Sequence, residues 1–87
     1  MDSLSDIAKL LRAARALLGF RQDEMADRAR VSRQMIARIE SAGKGIPFDA
    51  VEKVKSALER DGVVFLPSGT THGPGVALRK KAQDSVS

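Results

Sequence analysis

A chain of 87 residues has room for one domain, and a domain of that size buries only about 60–65% of the surface its unfolded chain exposes, so a large catalytic cleft is not expected. Cysteine is absent, no apolar run approaches the roughly 18 residues a membrane span needs, and Asp2 and Asp6 stand where a secretory leader is basic. The expectation is a soluble protein of the reducing cytoplasm. The net charge of +4 resides between Arg28 and Lys44, where Arg28, Arg30, Arg33, Arg38 and Lys44 face Glu40 alone. A concentrated positive patch points to an acidic partner, but a solvated helix face has the same composition, so periodicity and spacing must decide.

Ser3-Leu4-Ser5-Asp6 has the form of a capping box, in which the Ser3 hydroxyl and the Asp6 carboxylate satisfy N–H groups left unpaired at a helix start. A first helix is therefore predicted from about Leu4. Ile7, Leu10, Leu11, Ala14, Leu17 and Leu18 repeat at the spacing of one buried stripe, and Gly19 is placed to end the helix in a left-handed conformation. A second helix fits Gln22 to Ala29, with Asp23 and Glu24 at the positive end of its dipole and Met25, Ala26 and Ala29 facing inward. Arg30-Val31-Ser32 interrupts the pattern, and Ser32 suits the cap of a third helix, Arg33 to Glu40, with Ile36 and Ile39 inward. Two short helices joined by a tight turn result.

Ser41 to Pro47 is a loop by its Gly and Pro content, and a fourth helix follows from about Phe48 to Arg60 with Phe48, Val51, Val54 and Leu58 as its buried stripe. Gly62 stops it. Val63 to Pro67 is a β-branched and aromatic run, and Val76 to Arg79 a second one, so a hairpin with a long connection is predicted. Val63 to Leu66 is apolar on both faces and must pack on the helices or pair with another chain. Ala82 to Ser87 is expected to be disordered. The fold expected is mainly α: a four-helix domain over residues 1–61, then a small β-hairpin over 62–81.

The stretch Leu18-Gly19-Phe20-Arg21-Gln22-Asp23-Glu24-Met25-Ala26, followed by Val31-Ser32-Arg33-Gln34-Met35-Ile36-Ala37-Arg38-Ile39-Glu40, closely resembles the phage-repressor and Cro type of helix-turn-helix, also called the xenobiotic-response-element family. The resemblance covers roughly residues 4–60. It rests on Gln22 opening the second helix, Ala26 within it, Val31-Ser32 leading into the third, and Ile36-x-x-Ile39-Glu40 closing it. The tail, with Gly62-Val63-Val64-Phe65 and Gly73-Pro74-Gly75-Val76, is similar to that of short proteobacterial members.

Physical chemistry points the same way, because an exposed helix with a polar leading end can enter a major groove about 12 Å wide and meet base edges. Arg33 and Gln34 stand at that end. Arg can donate two bonds to guanine O6 and N7, and Gln can exchange two with adenine, each pair discriminating by about 1–3 kcal/mol. Arg38 follows one turn on, and Ala37 is small enough for close approach or a thymine methyl. The resemblance implies that Gln22 and Ser32 hold phosphate, that backbone amides near Ser41 to Lys44 hold a second, and that Arg15 pairs with Glu40. The DNA-binding set is thus Gln22, Ser32, Arg33, Gln34, Ala37, Arg38 and Lys44, and the implied function is transcriptional regulation, more often repression, by a homodimer on an inverted-repeat operator in double-stranded DNA.

Three positions depart from the family pattern: Arg21 replaces the usual Ser or Thr cap, Arg30 the turn Gly, and Ser41 the common Asn. Arg30 is expected to carry left-handed strain of about 1 kcal/mol, and loss of the cap at Arg21 to cost about 0.5–2 kcal/mol. The family's fifth helix is replaced by the strands. Met35 follows Gln34 on the leading turn but suits packing as well as base contact. His72 has no Cys or second His beside it, so no metal site is expected, and no triad, carboxylate pair or phosphate loop is spaced for catalysis or a cofactor. The competing class is a protein-binding module, an antitoxin or antiactivator with the same fold that grips another protein.

Overall fold

The computed structural model describes residues 4–80, which form four helices, α1 (Leu4–Leu18), α2 (Gln22–Ala29), α3 (Arg33–Glu40) and α4 (Phe48–Arg60), and then two strands, β1 (Val63–Leu66) and β2 (Gly75–Leu78). The Ser3 half of the capping box and the tail from Ala82 lie outside the described residues. Met25, Ile36, Ile39, Leu58 and Val63 are the largest fully buried side chains, so every element from α2 to β1 sends at least one into a common core with Leu11 and Ala14 of α1. Burying each such side chain contributes about 1.5–3 kcal/mol.

Three helices end in the same way. Gly19 (φ 74°), Arg30 (φ 59°) and Ala42 (φ 55°) are left-handed, and in each case the next residue donates its N–H back across the turn: Phe20 to Arg15 (3.2 Å), Val31 to Ala26 (3.1 Å) and Gly43 to Arg38 (2.8 Å). These six-residue closures satisfy carbonyls that a helix end leaves open and turn the chain sharply toward the next helix. Arg30 adopts the strained conformation expected of it; Ala42 adopts one too, which the Gly- and Pro-based reading of that loop did not locate.

Two residues placed in buried stripes are exposed instead. Leu17 is 44% exposed because it lies on the margin of the α1 stripe, two turns beyond half-buried Leu10. Phe48 is 77% exposed, since at 3.6 residues per turn it stands about 120° around α4 from buried Val54. The inner face of α4 is Ala50, Val54, Ala57 and Leu58, two alanines that let the helix approach α2 closely. β2 begins one residue earlier than expected, at Gly75, and ends at Leu78.

The strands pair antiparallel, Val63 with Leu78 through Leu66 with Gly75, and the Arg79 N–H donates to the Gly62 carbonyl at 2.7 Å to close the base of the hairpin. Side chains alternate, so Val63, Phe65, Val76 and Leu78 share one face, of which Val63, Phe65 and Val76 pack on the helices and Leu78 stays half exposed at its margin. The hairpin folds back on α1 and α4 of its own chain.

Candidate nucleic-acid interface

α3 owes its position to its two inner isoleucines and its cap. Ile36 and Ile39 are about 1% exposed, and the Ser32 hydroxyl accepts the Met35 N–H at 3.0 Å, satisfying a donor at the helix start. Ser32 therefore uses an oxygen lone pair inside the protein while its residue stays exposed. With the inner face fixed, Arg33, Gln34 and Arg38 stand in solvent and Ala37 is half-buried between them and the core. Neither Arg33 nor Gln34 is engaged by another of the described residues.

Arg15 and Glu40 tie α1 to the end of α3. Arg15 Nε donates to Glu40 Oε2 at 2.7 Å and Nη2 to Oε1 at 2.8 Å, while Nη1 donates to the Phe20 carbonyl at 2.8 Å. The paired bonds to Glu40, outweighing burial, raise the Arg15 guanidinium above its ordinary value. Gln22 Nε2 also donates to Glu40 Oε1, at 3.3 Å. One carboxylate thereby orients the first residue of α2 and the last of α3 together, a link between Gln22 and Glu40 that their 18-residue separation gave no means of finding.

The other cations divide. Arg28 stacks over Phe20 at 4.5 Å from the ring centroid and pairs with Asp61 at 3.2 Å, while Arg60 donates to the Arg28 carbonyl; Arg28 is spent on joining α2 to α4. Arg30 and Lys44 are exposed. Arg21 provides no side-chain cap, as expected, but Glu24 Oε1 accepts the Arg21 N–H at 2.8 Å and Asp23 Oδ1 accepts the Glu24 N–H at 3.0 Å, so two N–H groups at the start of α2 find acceptors within its own first turn. The Arg21 guanidinium, 3.1 Å from Asp23, holds that carboxyl below the usual range.

The loop after α3 differs from expectation. The amides of Ser41, Ala42 and Gly43 already donate to Ala37, Ile39 and Arg38, so these three are not open donors for a phosphate. Arg38 lies on the outward face, yet its Nη2 donates to the Lys44 carbonyl.

A short helix bearing free polar side chains at its leading end, preceded by a tight turn and a second short helix, is the geometry of a helix-turn-helix. A family model for the helix-turn-helix of the Cro/C1 type matches residues 11–63, most of the chain. The chain belongs to the Cro/C1-type helix-turn-helix family. This is a family of DNA-binding regulators. A search of curated proteins finds no match to this helix-turn-helix protein. The family match ends at Val63, the first strand residue and a fully buried one, so the hairpin begins inside the core of the helix-turn-helix unit. Among the described residues no helix is long and apolar enough to cross a membrane, and no three His, Asp or Glu side chains stand where they could hold a metal ion.

Proposed function

We propose that this protein is a sequence-specific transcriptional repressor that reads the major groove with α3. The observation that carries the reading is the leading turn of α3, where Arg33 and Gln34 are exposed and uncommitted on a helix whose inner face is locked. Arg33 and Gln34 contact base edges, Ala37 lies against the groove floor, and Gln22, Ser32 and Lys44 hold phosphates on either side. A second copy supplies a second α3, because one recognition helix spans only a few base pairs. Exposed Phe48, Leu66 and Leu78 support self-association: Phe48 and Leu66 border a groove of about 540 Å³ between α1, α4 and the hairpin, lined mainly by apolar side chains. An inverted-repeat operator follows from that two-fold arrangement.

The test is selection of bound duplexes from random-sequence DNA by the full-length protein, followed by titration of variants. Arg33→Ala and Gln34→Ala should weaken the selected site by about 1–3 kcal/mol and relax preference at single base pairs, while Gln22→Ala should weaken all duplexes alike. Folded Arg33→Ala and Gln34→Ala proteins that bind the selected site as wild type does would overturn the assignment.

A further inference from the structure

Arg38 occupies the outward face of α3 one turn beyond Gln34, where a third base-reading side chain is expected. Its contacts run toward the protein. Its guanidinium donates to the carbonyl of Lys44, and its own carbonyl accepts the Gly43 N–H at 2.8 Å and the Ser41 hydroxyl at 3.2 Å. One residue thus engages the loop at its start, at Ser41, and in its middle, at Gly43 and Lys44. The two loop glycines fit closely around it. A Cβ on Gly43 would lie 3.3 Å from the Arg38 carbonyl oxygen, and one on Gly45 would lie 3.3 Å from Arg38 Nη2.

The loop needs such a brace. Ala42 and Gly45 are both left-handed, at φ 55° and 70°; glycine adopts this freely, but Ala42 does so at a cost that the rest of the loop must offset. A guanidinium is suited to hold it, since its charge strengthens the bond to a carbonyl and its remaining N–H groups stay solvated.

Resting on the DNA-binding reading above, we infer that Arg38 is a positioning residue: it fixes the α3–α4 loop and with it the place of Lys44 beside the recognition helix, and does not read a base. The consequence is a division of labour along α3. The leading turn carries sequence preference; the last turn sets the phosphate contact that fixes how α3 lies in the groove.

Amide exchange in the free protein and DNA titration of Arg38→Ala and Arg38→Lys, beside Gln34→Ala, test this. In Arg38→Ala the Gly43 and Ala42 amides should exchange at least about tenfold faster than in wild type, with the Ile36 and Ile39 amides unchanged, and Arg38→Lys should restore part of the protection. Binding to the selected duplex and to a random duplex should fall by a similar factor, and the slope of log K against log salt should drop by about 0.9 for each phosphate the variant no longer neutralises. Unchanged exchange at Gly43 and Ala42, or weakening confined to the selected duplex with preference relaxed at one base pair, would overturn it. If wild-type protein selects no duplex, the proposed function fails while the exchange measurement still decides whether Arg38 holds the loop.

Discussion

Glu40 is 7% exposed and takes three side-chain donors, two from Arg15 and one from Gln22, so neighbours rather than water stabilise its charge. Removing one partner of such a pair costs more than removing both, because the survivor keeps its desolvation penalty. Arg15→Met should therefore lower stability by about 3 kcal/mol, and Arg15→Met combined with Glu40→Leu should recover most of that loss; urea unfolding midpoints for wild type, the two single variants and the double variant measure the coupling. Glu40→Leu also removes the acceptor of Gln22, which Arg15→Met leaves in place. At the exposed start of α2 the balance differs. The Arg21 hydrogen bond lowers the Asp23 carboxyl, so the interaction is fully present above the ordinary aspartate range and is lost only as pH falls through the depressed value. A carboxyl NMR titration should place the Asp23 midpoint below that of an ordinary aspartate, and Arg21→Ala should move it up.

At the scale of elements, three successive helix ends depend on left-handed residues, but only the first supplies a glycine. Arg30 and Ala42 occupy a conformation costing an L-residue about 1–2 kcal/mol, against which glycine loses about 0.5–1 kcal/mol of chain entropy. Arg30→Gly and Ala42→Gly should each raise stability by about 0.5–1 kcal/mol in thermal melts. Arg30→Gly should weaken DNA binding as well, because a cation leaves the turn beside α3, whereas Ala42→Gly removes no charge. These ends also show what could be read from the chain. Helix identity and extent were legible because the inner positions repeat at helical spacing, as Met25-Ala26-Ala29 and Ile36-Ile39 do. The α4 face was half legible: Ala50 and Ala57 are weakly apolar and gave little signal, while Phe48 gave a strong one for the wrong side. Hydrogen bonds across the loop after Glu40 were not legible at all, since spacing along a chain says nothing about where the Arg38 guanidinium turns. The exposed α3 residues were legible as the polar positions Arg33, Gln34 and Arg38 around the inward Ile36 and Ile39, and which bases they would meet is a property of the DNA partner as much as of the chain.

For the whole molecule, the hairpin is both a structural part and the source of exposed apolar surface. Val63 is fully buried among the helices, so Val63→Ala should cost about 2 kcal/mol, and truncation at Gly62 would test the core and the interface at once. Surface substitutions separate them. Phe48, Leu66 and Leu78 are 77%, 44% and 50% exposed; Leu78 lies opposite Val63 at the open margin of the inner face, and changing the three to Ser keeps Val63, Phe65 and Val76 themselves in place. The groove is bordered by Glu52 and Lys55, one of each sign, so it carries no concentrated charge of the kind found around α3 to repel a second copy. Two α3 helices held in this way must stand about 34 Å apart to enter successive major grooves on one side of the duplex. Sedimentation equilibrium at micromolar concentration should give the wild-type chain twice its 9.4 kDa mass, and the Phe48→Ser/Leu66→Ser/Leu78→Ser protein the single mass with an unchanged helical spectrum. The same variant should bind a half-site as wild-type monomer does but lose the added affinity for the full inverted repeat. A wild-type chain that sediments as a monomer, or a triple variant that still sediments as a dimer, removes this surface as the seam.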